Sequence, residues 1–238
     1  MGERLAIPLP GGAAMPAWLE RPACAPAGAP AGVVLLLHEI FGLNRNMQAL
    51  ARWIASLGHV ALVPDLWWRQ AEGVALDPDA GPPAWERAFA LLRGLDETAA
   101  VADLLAALAF ARALPGGNGR VGSVGFCLGG RLAARLAVRS DAECHVSYYG
   151  VGLEGMLEEL RGLRAPLLLH IAGRDRFGPL AAQRRIIAAL AAEPRAEILL
   201  HPAADHAFAR AGARSFDART AAVAHARTEA LLKRCLGP

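Results

Sequence analysis

Short, uninterrupted apolar runs alternate with longer amphipathic stretches along the chain. Residues 33–37 (VVLLL), 59–63 (HVALV), 121–124 (VGSV), 144–149 (CHVSYY), 166–172 (PLLLHIA) and 197–201 (EILLH) read as strands. Runs that stay apolar at odd and even positions alike mark strands covered on both faces. Between them, apolar positions recurring at helical spacing predict helices over 46–57, 84–95, 97–114, 129–139, 153–161, 180–192 and 215–235. Residues 5–22 suggest an opening strand or hairpin with a Gly-Gly turn, 23–32 a flexible Pro/Ala/Gly connection, and 66–84 an irregular segment. Repeated strand–helix–strand units imply an α/β fold: a mostly parallel central sheet, helices on both faces and right-handed crossovers. The 238 residues fit one domain spanning 1–238.

In such sheets ligands bind beyond the carboxyl ends of the strands. Cys127, Asp175, His206 and Glu39 all fall in those loops. Gly125-Phe126-Cys127-Leu128-Gly129 has the form of a nucleophile elbow, with cysteine where serine is more usual. The tight turn requires small flanking residues, and the helix start behind it favours a thiolate over a thiol. The chain order nucleophile, acid, base (Cys127, Asp175, His206) is that of the α/β-hydrolase arrangement. His206 would pair with Cys127 or take its proton, while Asp175 would fix the ring and stabilise imidazolium. Simpler readings stand beside these: a buried structural cysteine in a glycine-rich turn, an aspartate capping the helix at 180–192, and a satisfied loop histidine. His170 and His201 lie inside apolar strands and rank below His206.

Composition narrows the function. A net charge of +3, with arginines and carboxylates interspersed, argues against a nucleic-acid partner. The 38–42 segment lacks the second histidine of a zinc HExxH site, and no compact ligand spacing implies a metal. The glycines at 125, 129 and 130 fit neither GxGxxG nor GxxxxGK[ST], so no nucleotide and no cofactor is expected. No run is long enough to cross a bilayer and no secretion signal is evident, which leads us to expect a cytoplasmic, membrane-free protein. The cysteines at 24, 127, 144 and 235 form no CxxC pair. They are expected as free thiols in a reducing compartment, with a disulfide left open by spacing.

A substrate pocket can be sketched from the same loops. The N–H of Leu128 and that of Ile40, in the loop after 33–37, are the candidate oxyanion donors. Glu39 would hold Cys127 as a thiol, remove its proton, or form a salt bridge with Arg210 or Arg69. Arg210, four residues after His206, would grip a substrate carboxylate or lie in solvent. Trp85 and Phe89 sit in a cap-side segment, 66–95, and Tyr149 follows strand 144–149; each either shapes a pocket or packs as core.

The segments HEIFGL (38–43), PDLWWRQAEGVALDP (64–78), GFCLGG (125–130), YYGVGLE (148–154), GRDRFGP (173–179) and DHAFAR (205–210) together resemble the dienelactone hydrolases, or carboxymethylenebutenolidases, of the α/β-hydrolase superfamily. The likeness extends from about residue 33 to nearly the end of the chain. It implies a monomeric, cofactor-free hydrolase that opens an enol-lactone such as dienelactone to maleylacetate. By this resemblance Cys127, Asp175 and His206 are triad members, Glu39 controls thiolate formation, and Arg210 binds a carboxylate. The family's second carboxylate-binding arginine is replaced by Trp85, with Arg87 two residues on, and Phe89 stands where a phenol is familiar. A carboxylesterase for small uncharged activated esters, and a non-catalytic small-molecule binding module, are the alternatives.

Overall fold

The computed structural model describes residues 2–23 and 30–237; most of the expected connection at 23–32, and Cys24, lie outside them. The strands are β1 (Glu3–Pro8), β2 (Ala14–Glu20), β3 (Ala31–Leu37), β4 (Val60–Pro64), β5 (Gly117–Phe126), β6 (Cys144–Tyr148), β7 (Leu167–Ala172) and β8 (Ala196–His201). The helices are α1 (Arg45–Ser56), α2 (Pro82–Arg93), α3 (Glu97–Arg112), α4 (Leu128–Arg139), α5 (Leu157–Leu160), α6 (Leu180–Leu190) and α7 (Ala218–Leu236). By packing, the chain forms two compact units: 1–122 with 236–238, and 123–235.

In the first unit the strand order is β1-β2-β4-β3-β5. β1 and β2 form the expected hairpin and β2 joins β4 antiparallel, whereas β3 and β4 run parallel. Every residue of β3 and β4 is buried, as their continuous apolar runs require. The crossover from β3 to β4 steps one way across the sheet and that from β4 to β5 steps back. Right-handed connections therefore place α1 and α3 on opposite faces. Asn44 caps α1 by accepting from the Met47 N–H (3.2 Å), and Asp96 caps α3 by accepting from Ala99 (3.0 Å). Helix α2 starts at Pro82, earlier than the 84 expected, because proline suits a first helical turn; Gly94 ends it.

The second unit continues β5-β6-β7-β8, with β6, β7 and β8 parallel. Alternation along β7 shows both faces covered. Leu167, Leu169 and Ile171 pack in one core with Ala134 and Ala137 of α4, Leu160 of α5, and Ile186 and Leu190 of α6. His170, of opposite parity, bonds Thr228 of α7. The α/β fold with a largely parallel sheet flanked by helices is thus the one the apolar runs predict.

Several boundaries differ from expectation for local reasons. β5 begins at Gly117 rather than 121, since its first four residues, GNGR, carry no apolar signal and only Val121–Phe126 is buried. β6 stops at Tyr148 because Tyr149 adopts φ 39. The helix expected at 153–161 splits into a 3₁₀ turn at Leu153–Gly155 and the short α5. α7 starts after Asp217, not at 215: the Asp217 carboxylate accepts from the Thr220 N–H (3.0 Å), a capping bond that also lowers its pKa.

Candidate active site

β5 delivers its last six residues buried, and Cys127 follows at φ 55, ψ −112. A non-glycine residue at positive φ costs free energy and persists only when its surroundings hold it there. Here the Cys127 N–H donates to the Tyr148 carbonyl (3.0 Å), and the Cys127 carbonyl accepts from Arg131 (3.2 Å). Two of the adjacent glycines are required sterically. A Cβ on Gly125 would run into the Gly129 backbone, and one on Gly130 would come within 2.9 Å of the Tyr148 carbonyl and 3.0 Å of Gly150 Cα. Helix α4 begins at Leu128 with no side-chain cap, so the partial positive charge of its first turn adjoins the thiol.

Asp175 and His206 meet directly. His206 Nδ1 donates to Asp175 Oδ2 at 2.7 Å, and the side chains are 12% and 6% exposed. His206 is also hydrogen bonded to Cys127. Burial opposes charge on the ring, but the bonds to Asp175 and Cys127 and their charges outweigh it and raise His206 to about 10. The other oxygen, Asp175 Oδ1, accepts from the Phe177 N–H (2.8 Å). The second unit therefore brings Cys127, Asp175 and His206 into one hydrogen-bonded chain, an arrangement able to hold a proton on imidazole beside sulfur.

Neighbouring residues fix this chain. The loops after β7 and β8 are tied together by Gly173 N–H to His201 O and Arg174 N–H to Ala204 O, both 2.9 Å. Gln183 of α6 donates to the carbonyls of Ala172 (3.1 Å), Gly173 (3.3 Å) and Gly178 (2.7 Å), bracing the turn that presents Asp175. The His206 ring is flanked by Tyr149 and Phe177, each edge-on with centroids 4.9 Å away. Cys127, Tyr149 and Ala207 are the positive-φ non-glycine residues recorded among the described residues, and all adjoin this chain. Phe177 and Gln183 were not singled out from sequence. The only trace of Phe177 was its place in GRDRFGP, and Gln183 looked like an ordinary polar position on a helix.

His170 and His201 take part in a different network. His170 Nδ1 and His201 Nε2 lie 3.2 Å apart, and Thr228 Oγ1 joins His170 Nε2 (3.2 Å) and the Tyr148 hydroxyl (2.7 Å). Burial drives the His170 pKa well below its ordinary value, with the charge of His201 adding to the effect. Arg210 follows the site within DHAFAR and is only 9% exposed; its N–H bonds the Ala207 carbonyl (2.9 Å).

Within the first unit, His38 fixes the loop that carries Glu39 and Ile40. Its Nε2 accepts from the Leu66 N–H (3.0 Å), so Nδ1 carries the proton shared with the Glu39 carbonyl (2.6 Å). Glu39 and Ile40 are both buried. Trp85 donates from Nε1 to the Pro78 carbonyl (2.9 Å) and meets Phe41 edge-on at 4.8 Å, with Phe89 beside it at 5.8 Å. Arg87 is exposed, consistent with the wide angle separating residues two apart on a helix. Arg69 forms a bidentate pair with Asp103 (2.8 Å for each bond) while lying over the Trp68 ring at 4.4 Å. That pairing provides a structural partner for Arg69 other than Glu39. Among the described residues no group of three or more His, Cys, Asp or Glu is placed to hold a metal, and no helix is long and apolar enough to cross a membrane.

Comparison with known proteins agrees with the local chemistry. Residues 19–236 match the model of the dienelactone hydrolase family. A carboxymethylenebutenolidase of Pseudomonas putida is 40% identical over 202 residues, covering 85% of each chain. Another, from Pseudomonas sp. (strain P51), is 39% identical over 233 residues, covering 98% of this chain and 95% of its own. A crystal structure from Klebsiella pneumoniae superposes with TM-score 0.83 at 28% identity, covering 98% of both chains.

Proposed function

Because the chain belongs to the dienelactone hydrolase family of the α/β-hydrolase superfamily and is a carboxylic ester hydrolase of that type, we propose that it works through a cysteine thioester and opens a small, carboxylated enol-lactone. The observation that carries this reading is the hydrogen-bonded chain from Asp175 through His206 to Cys127.

In this mechanism imidazolium at His206 balances a thiolate at Cys127, and Asp175 holds the ring orientation. Sulfur attacks the lactone carbonyl, and the charge developing on oxygen is met by the Leu128 N–H. The C–O ring bond then breaks, His206 protonates the departing enolate, and an acyl thioester remains. Water, giving its proton to His206, cleaves the thioester and restores the thiolate. Ile40 as second oxyanion donor, and Trp85, Phe89 and Tyr149 as pocket residues, follow from the loops they occupy, whereas Glu39 as the residue controlling thiolate formation enters through the family resemblance. So does Arg210 as the carboxylate-binding arginine, which is buried.

Leaving-group chemistry restricts the substrate. Thiolate is itself a good leaving group, so a tetrahedral intermediate returns to substrate unless the other leaving group is better. Enolates and activated phenolates meet that condition; amide nitrogens do not. A second reading, hydrolysis of small uncharged esters, is favoured by one observation: Arg69 is already paired with Asp103. Steady-state rates on dienelactone, a neutral enol-lactone and p-nitrophenyl acetate, for the wild type and Arg210→Ala, separate the two readings. The lactone reading expects Arg210→Ala to raise KM for the carboxylated lactone alone. Equal use of charged and neutral lactones, unchanged by the substitution, would establish the second reading.

A further inference from the structure

Ser147, in β6 beside Leu169 of β7, is 1% exposed, and its hydroxyl bonds no other group among the described residues. The other buried serines described, Ser123 and Ser140, are both hydrogen bonded. The Ser147 hydroxyl lies against Gly130 of α4 and Gly150, and a Cβ on either glycine would collide with it. It borders a cavity whose wall also includes Gly150, Leu169, Asp175, Gly178 and Ile186. The space open there to the centre of a water molecule is about 20 Å³, above the roughly 10–15 Å³ that one water needs. A buried hydroxyl without a partner is costly, and the aliphatic walls offer none. We propose that this cavity is a binding site for one ordered water, held by the Ser147 hydroxyl and donating to the Asp175 carboxylate. Ser147 is then a positioning residue for the acid of the proposed triad. That role rests on the hydrolytic reading, whereas the water site does not.

The carboxylate has capacity for the water. Asp175 Oδ1 accepts from the Phe177 N–H (2.8 Å) and Oδ2 from His206 Nδ1 (2.7 Å), and each oxygen keeps a second lone pair. Gly178 leaves one side of Oδ2 uncovered: a Cβ there would lie 3.8 Å from it. The Ser147 O–H donates to the water and the water donates to the carboxylate, a charge-assisted bond stronger than one between neutral groups. Ser147 and Asp175 thus supply two of the roughly 2–4 polar partners that hold a buried water. Gln183 lines the same cavity, but its Nε2 is committed to the carbonyls of Ala172, Gly173 and Gly178. The water's bond spreads the carboxylate charge over one more donor and fixes the plane of the group. Without it the carboxylate draws the Nδ1 proton of His206 harder and turns more freely.

A high-resolution crystal structure and proton NMR of the full-length protein read the site without substrate. The expected density is one water roughly 2.7–3.2 Å from Ser147 Oγ and from an Asp175 oxygen, missing from Ser147→Ala. The His206 Nδ1–H resonance, assigned by its loss in His206→Gln, should move downfield in Ser147→Ala. On p-nitrophenyl acetate that variant should lose about 2–10-fold in kcat, the scale of one hydrogen bond, with KM unchanged. A dry cavity, a Ser147 hydroxyl turned to a protein carbonyl, a water out of reach of Asp175, or one that persists in Ser147→Ala would overturn the site; the wild-type density decides this even if the variant does not fold. An unmoved or upfield-shifted resonance, or a wild-type kcat in Ser147→Ala, would overturn the positioning role. Absence of hydrolysis by the wild type itself would instead remove the hydrolytic reading, and the density and the resonance would still decide the water site.

Discussion

Replacing Asp175 by Asn removes the charge that faces His206 while keeping the side chain's size. In the wild type, His206 rises from its ordinary 6.5 to about 10, against the opposing effect of burial. That difference corresponds to roughly 5 kcal/mol favouring imidazolium over the neutral ring, at ~1.4 kcal/mol per tenfold. Asp175 is the largest of the contributions that raise it, through a 2.7 Å bond to Nδ1. With asparagine the ring keeps its burial and the bond to Cys127 but loses the carboxylate. Its pKa should fall by several units, and the Asn amide can hold the wrong tautomer. Where the corresponding change has been made in a serine protease, kcat drops about 10⁴-fold, and a comparable loss is expected here. The wild-type pair should add stability that is complete below pH 6.5 and disappears as pH rises through about 10. The stability difference between wild type and variant should therefore shrink in the alkaline range. The assays are p-nitrophenyl acetate hydrolysis and urea unfolding across pH, with the His206 ring followed by NMR. An Asp175→Asn protein with unchanged turnover and unchanged His206 titration would refute the reasoning.

The remaining predictions test the supports of the site and the buried histidines. Gly125→Ala forces a Cβ against the Gly129 backbone; it should cost at least ~1–3 kcal/mol in thermal unfolding and abolish esterase activity, since a backbone clash cannot be relieved by a rotamer change. Gln183→Leu gives up three donations to loop carbonyls; a loss of about 1–3 kcal/mol is expected, with kcat falling more than KM rises as Asp175 loosens. Burial lowers His145 to about 3, and its Nδ1 lies 2.8 Å from Ser123 Oγ. An unfolded chain protonates that ring near 6.5 while the folded one does not, so stability should decline as pH falls below 6.5 toward 3, and His145→Gln should flatten the decline.

The features most legible in the sequence were those with few physical solutions. β3, β4 and β7 could be placed because a strand buried on both faces must be apolar throughout. Cys127 stood out because its elbow needs glycine where backbones nearly touch. Asp175 and His206 were nominated by lying beyond strand ends, by the chain order nucleophile, acid, base, and by the segments GRDRFGP and DHAFAR, and the structure brings them to 2.7 Å. What stayed hidden depends on folding. The ring of Phe177 matters because the loop turns it against His206, and Gln183 because three carbonyls converge on one amide. Tyr149 ends β6 through a backbone angle that no side-chain pattern announces.

The proposed mechanism requires the sulfur of Cys127 to carry the acyl group during turnover. Acid-quenching the wild type during the first turnovers with p-nitrophenyl acetate, followed by peptide mass mapping, tests it directly. An acetyl thioester on Cys127 is expected, accumulating in His206→Ala and missing from Cys127→Ala, which no longer turns over. Undiminished hydrolysis by Cys127→Ala, or an acetyl group lodged on a different side chain that turns over competently, would contradict it.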